Sequence, residues 1–181
     1  LCAINLIENH NLDVILVEAG KIGWGASSRN AGFNCLPPSK MSFKKMQSIY
    51  GMEETKKFFK NSVEGSNHTK DIIKEYNIEC DVTGDSSYVV AHHKNKFEQI
   101  KEQAEVYKSE FGIETKIYSK EEFDEIGHGG TEQYGAFSYK PAFAINPLKF
   151  VNGIAKHALS KKLKIFEHTK VDKINKENGS Y

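Results

Sequence analysis

The residues best able to do chemistry fall in one stretch: Glu18-Ala19-Gly20-Lys21-Ile22-Gly23-Trp24-Gly25-Ala26-Ser27-Ser28-Arg29-Asn30-Ala31-Gly32-Phe33. Glycines 20, 23, 25 and 32 are interspersed with Ala26, Ser27, Ser28 and Ala31. Side chains this small let backbone N–H groups approach a pyrophosphate, as anion nests do. Ser27 and Ser28 add hydroxyl donors, and Arg29 adds a planar cationic fork suited to phosphate oxygens. An ordinary Gly/Ser surface loop is the competing reading. Glu18 stands directly before the loop. A carboxylate ending a second buried strand, about 20 residues after a glycine-rich turn, hydrogen-bonds a ribose hydroxyl in dinucleotide-binding folds. Here that count works only if the turn lies just upstream of Leu1. Taken alone, Glu18 reads as a solvated strand-end carboxylate, and the loop behind it is what gives it weight.

The elements needed to position this stretch are legible on both sides of it. Leu1, Ala3, Ile4, Leu6 and Ile7 predict a short buried helix. Asp13-Val14-Ile15-Leu16-Val17 is a compact β-branched run, the pattern of a strand buried on both faces of a parallel sheet. Helix followed by buried strand is the second half of a βαβ unit. Pro37-Pro38 closes the loop. Residues 42–76 are mostly helical in pattern, with Gly51 and Gly65 expected to break them into pieces. Residues 88–91 predict a strand, 96–111 an amphipathic helix stopped by Gly112, and 113–118 an edge strand. Ser119 and Glu122 form a capping box. Asn146 caps a helix with Pro147 in its first turn, and strands are expected over 164–167 and 169–174. Asn178-Gly179 signals a hairpin.

Bulk properties narrow the function classes. Among 181 residues, 25 Lys+Arg stand against 24 Asp+Glu, a net of +1, so no charge bias points to nucleic acid or a membrane surface. No apolar run approaches a membrane span. Cys2, Cys35 and Cys80 are widely spaced and odd in number, which points to reduced thiols in a cytoplasmic protein rather than to a disulfide framework or a zinc site. The seven histidines show no metal-ligand spacing, so no metal is expected. Tyr88 and Tyr139 are candidates to line a pocket, although aromatic residues on strands more often pack. The chain has no initiator methionine and opens inside a helix, so it is read as an internal fragment.

The ordered run Gly25-Ala26-Ser27-Ser28-Arg29-Asn30-Ala31-Gly32, behind a strand ending in Glu18-Ala19, resembles the D-amino-acid-oxidase superfamily of FAD-dependent oxidoreductases. Within it the resemblance is to the branch containing gamma-glutamylputrescine, glycine and sarcosine oxidoreductases. It implies an α/β fold: an incomplete Rossmann-like FAD-binding domain with an inserted α+β substrate-binding domain. Residues 1–40 would be FAD-binding, 41–145 a helical linker and substrate-binding region, and 146–181 the return to the FAD domain. It further implies FAD contacts from Glu18, Ala19, Lys21, Gly25, Ala26, Ser27, Ser28, Arg29, Asn30, Ala31 and Gly32. Val171 would meet the adenine through its backbone, a role compatible with its being a core strand residue. Arg29 stands about where some relatives attach flavin through a histidine, so non-covalent FAD is expected.

The activity implied is oxidation of the C–N bond of a small amine or amino acid, with hydride passed to flavin and the imine hydrolysed. No catalytic acid or base is identifiable. A hydroxy-acid or glycerol-phosphate dehydrogenase on the same scaffold, and a fragment without function, are the alternatives.

Overall fold

The structure, a computed structural model, describes residues 1–36, 41–127 and 129–176. In chain order the elements are α1 (Cys2–His10), β1 (Ile15–Val17), β2 (Phe33–Asn34), α2 (Phe43–Glu75), β3 (Ser87–Val90), α3 (Lys94–Phe111), β4 (Glu114–Tyr118), α4 (Lys120–Ile126), β5 (Ala136–Lys140), β6 (Phe143–Ala144), α5 (Pro147–Ser160) and β7 (Lys164–Phe166). They assort into two compact units. One comprises Leu1–Gly32, Ile72–Asp81 and Ile145–Tyr181; the other comprises Phe33–Asp71 and Val82–Ala144.

The first unit carries the glycine-rich loop. β1 and β7 pair in parallel, with Leu16 opposite Ile165. α1 packs Ile4 against Ala158 of α5 and Leu163, with Val14 and Ile165 alongside. α1 ends because Asn11 turns left-handed (φ 49°), a conformation asparagine tolerates, and its N–H bonds back into the last turn. Asn146 caps α5 as its spacing predicts, its Oδ1 accepting from the Lys149 N–H at 3.1 Å. Two expectations fail here. β1 is not buried: Ile15, Leu16 and Val17 are 59%, 37% and 38% exposed, because β7 is its one strand partner among the described residues and α1 and α5 cover little of it. Residues 169–174 form no strand, since their backbone finds no ladder partner beyond β7. The Asn178-Gly179 hairpin signal and Pro37-Pro38 lie outside the described residues.

The second unit is an antiparallel sheet in the order β3-β5-β4, with β4 at the edge as its alternation predicts. β5 is the central strand. Its period-two alternation sends Phe137 and Tyr139 to the face that meets Ile100, Ala104 and Tyr107 of α3 and Phe59 of α2. On the other face Tyr88 and Tyr118 meet Phe123 of α4. The Ser119–Glu122 capping box forms in both directions, at 3.2 and 2.7 Å. The two glycines of α2 behave differently. Gly51 leaves helical geometry (φ 79°, ψ 168°) and kinks the helix, whereas Gly65 continues it. A Gly in mid-helix costs only about 1 kcal/mol, which tertiary packing offsets. A two-stranded pair, β2 with β6, completes the unit.

The centre of this core is aromatic. Phe59 stacks on Phe111 at 4.0 Å and lies edge-on to Tyr107, which in turn meets Phe137 edge-on. Burial pushes the Tyr107 phenol up to about 12, the Gln103 amide that donates to its oxygen offsetting this in part. A raised folded-state pKa means stability fully present below the ordinary phenol value near 10 and lost as pH rises through about 12. Roughly 2–3 kcal/mol of stability is therefore expected to disappear across that window. The check is the urea midpoint as a function of alkaline pH, with Tyr107→Phe as the variant in which the decline is shallower. Equal declines in both proteins would discount the phenol.

Candidate dinucleotide site

In the first unit the carboxyl ends of two parallel strands are tied together, and the glycine-rich loop springs from the first of them. The Glu18 N–H donates to the Phe166 carbonyl at 2.9 Å, and the Thr169 N–H donates to the Glu18 carbonyl at 2.8 Å. The His168 N–H reaches the Gly20 carbonyl at 2.9 Å. The Glu167 carboxylate accepts from the Ile22 N–H at 2.7 Å, across a sequence separation of 145 residues. These four bonds fix the start of the loop at the end of the sheet where α/β folds bind ligands. Glu167 is a positioning residue that sequence reasoning missed. Its only available signal was its place at the end of a second strand, like Glu18.

Glu18 is half-buried, and one of its carboxylate oxygens accepts from the Gly20 N–H at 2.7 Å. The other oxygen meets no donor among the described residues, so it can accept a ligand hydroxyl. Ala19 and Lys21 are exposed beside it.

Two overlapping turns shape the rest of the loop: Ser28 N–H to the Gly25 carbonyl at 3.3 Å and Arg29 N–H to the Ala26 carbonyl at 3.2 Å. In such a turn the leading N–H groups have no internal acceptor, as at the start of a helix. Those of Gly25, Ala26 and Ser27 accordingly donate to nothing among the described residues. Three consecutive free donors on small residues are what an anion nest requires.

Ser28 and Asn30 work inward. The Ser28 hydroxyl bonds the Gly23 carbonyl. The Asn30 amide spans the turn, donating to the Ala26 and Ser27 carbonyls at 3.0 and 3.1 Å and accepting from the Gly32 N–H at 2.8 Å. Their chemistry is spent on holding the loop's shape, while the Ser27 hydroxyl meets no partner among the described residues.

Arg29 stacks on Trp24, its guanidinium carbon 3.9 Å from the ring centroid. Ala31 is exposed, while Gly32 is buried at φ 73° where its backbone meets Ile145. The Ile145 N–H donates to the Gly32 carbonyl at 3.0 Å, which joins the end of the loop to the start of α5. Val171 is exposed, and its peptide makes no hydrogen bond among the described residues.

A cleft of about 260 Å³ adjoins the loop, lined by Leu16, Glu18, Gly25, Ser27, Ile154 and Ala158 among others. A carboxylate with one open oxygen, three free backbone N–H groups and a guanidinium that meets no acceptor among the described residues have the hydrogen-bonding chemistry that a dinucleotide with a pyrophosphate centre requires. The second unit has a cavity of about 400 Å³ lined by Phe33, Cys35, Ser87, Tyr88, Ala142 and Phe143. Tyr139 is not on that lining; it is buried, and its hydroxyl accepts from the Leu36 N–H at 3.1 Å. No group of three or more His, Cys, Asp or Glu among the described residues could hold a metal ion. No helix among them is long and apolar enough to cross a membrane.

Such an arrangement defines a chain of the dinucleotide-binding α/β class. The chain belongs to the FAD dependent oxidoreductase family (DAO), whose profile matches it over residues 1–181. It is 31% identical over 107 residues to gamma-glutamylputrescine oxidoreductase of Escherichia coli K12, an alignment covering 58% of this chain and 25% of that protein. The fold is similar to glycine oxidase from Bacillus cereus, with a TM-score of 0.69 at 16% identity over 97% of this chain and 45% of that one. It is also similar to L-amino acid deaminase from Proteus vulgaris, with a TM-score of 0.70 at 17% identity over 98% of this chain and 39% of that one. The chain thus spans less than half the length of each relative.

Proposed function

We propose that the protein oxidises the C–N bond of a small amine or amino acid with FAD held non-covalently. The observation that carries this reading is the free anion nest of Gly25, Ala26 and Ser27 standing behind Glu18 in a chain of an FAD-dependent family. In this reading the first unit is the FAD-binding part. Glu18 accepts from a ribose hydroxyl, the nest and Arg29 take the pyrophosphate, and Val171 offers its free peptide to the adenine. Ser28, Asn30 and Gly32 keep the loop in the shape those contacts need. When bound, FAD supplies the hydride acceptor for oxidation of the amine to an imine, which water hydrolyses.

The second unit is then the substrate-side part, and its cavity beside Phe33, Tyr88 and Phe143 favours an uncharged carbon chain by its apolar lining. Preference for an amine over a hydroxy acid is supported by the name of the curated relative, gamma-glutamylputrescine oxidoreductase. Three unpaired cysteines accord with a cytoplasmic protein.

The test is the visible spectrum of the whole purified protein, before and after anaerobic addition of amines and amino acids. Flavin bands that bleach with an amine are the expected result. Bands that respond to a hydroxy acid or glycerol phosphate and not to amines would transfer the reading to those substrates. A colourless protein that cannot be reconstituted with FAD would overturn it.

A further inference from the structure

Arg29 is the only arginine among the 25 basic residues of the chain, and Trp24 is its only tryptophan. The two stack on each other in the loop that carries the anion nest, the guanidinium carbon 3.9 Å from the indole centroid. Every other cation in the sequence is a lysine, so charge alone does not explain an arginine at this one position. What a guanidinium adds is planarity, a face that stacks on aromatic rings, and edge donors that meet phosphate oxygens two at a time.

The surroundings favour a held rather than a wandering side chain. No carboxylate or carbonyl among the described residues accepts from Arg29, so its edge donors stay free while one face is taken by the indole. Trp24 is itself held: its backbone N–H donates to the Lys21 carbonyl at 2.9 Å, and its ring packs over Gly20, where an added Cβ would lie 3.2 Å from the indole. Yet the indole is 60% exposed, which marks it as something other than core packing. A free arginine loses rotamer entropy when it clamps a ligand, and a side chain already stacked has lost part of it beforehand.

We infer that Trp24 is a positioning residue: it pre-orients Arg29 so that the guanidinium edge meets the phosphates of a dinucleotide seated on the Gly25–Ser27 nest. The inference rests on the FAD-binding reading and adds to it a residue that touches the ligand only through another.

The experiment is a double-mutant cycle on FAD affinity, measured by titrating the whole apoprotein. Trp24→Ala and Arg29→Lys are each expected to raise Kd about tenfold, and Trp24→Ala is expected to add less than about twofold in the Arg29→Lys background. Trp24→Phe, which keeps a ring, should restore affinity to within about threefold of the natural protein, while Trp24→Leu, which keeps only bulk, should behave as Trp24→Ala. Additive effects in the cycle, or a leucine as good as phenylalanine, would overturn the inference while leaving FAD binding intact. A natural protein that binds no FAD would overturn it together with the proposed function.

Discussion

Gly32→Ala is expected to destabilise the first unit by about 3 kcal/mol or more, from an unfavourable left-handed conformation together with overpacking. Gly32 sits at φ 73°, a region that side-chain-bearing residues rarely adopt. A Cβ there would be driven into the Ile145 carbonyl oxygen and would lie 3.2 Å from the Pro147 ring. Neither obstacle can swing away, because one is backbone and the other opens α5. The same contact joins the end of the loop to α5, so FAD affinity is expected to fall along with stability. Urea unfolding of this variant beside Gly25→Ala makes the check. Gly25 lies in the same loop at an ordinary φ with open space around its Cα, so its alanine should cost less than about 0.5 kcal/mol of stability. Equal stabilities for the two variants would mean that the close approach to Ile145 does not constrain the fold.

The largest effect in the second unit is expected from Phe59→Ala, at about 3–5 kcal/mol. Phe59 is 1% exposed and sits where α2 meets α3, stacked on Phe111 and edge-on to both Phe58 and Tyr107. Truncation removes a full aromatic side chain from neighbours that are themselves ring-shaped and cannot collapse into the space. Phe33→Ala is the comparison, since Phe33 is 73% exposed and should cost little. A loss at Phe59 below about 1 kcal/mol would show that the aromatic cluster relaxes around the cavity.

Much of this architecture was legible in the residue order, and the reasons are local. The helix of residues 94–111 carries Ile100, Ala104 and Tyr107 on one face at helical spacing, and burial of that face needs no knowledge of its partner. The Ser119–Glu122 box and the Asn146-Pro147 start are caps made within four residues, so sequence alone specifies them. The family was legible too, because the run that carries the resemblance is local: eight consecutive residues, Gly25 to Gly32, six of them Gly, Ala or Ser.

Long-range pairing was not legible. β5, Ala-Phe-Ser-Tyr-Lys, alternates as a strand does, yet the alternation does not say that it is the buried centre of its sheet, with β3 and β4 on its two edges. The run Asp13–Val17 looks like a strand buried on both faces, and its exposure shows that apolar composition expresses a need for cover without supplying it.

Within the candidate site the division is sharper still. Residue types and their order determined that Glu18, the small-residue loop and Arg29 carry hydrogen-bonding chemistry that a dinucleotide could use. Only the tertiary structure decided which of them are free to use it. Asn30 and Ser28 turn inward, Gly25, Ala26 and Ser27 keep their donors open, Glu167 comes from 145 residues away to pin Ile22, and Trp24 takes one face of Arg29. The physical reason is that sequence specifies what a side chain can donate or accept, whereas the partner that satisfies it is set by chain segments brought together only on folding.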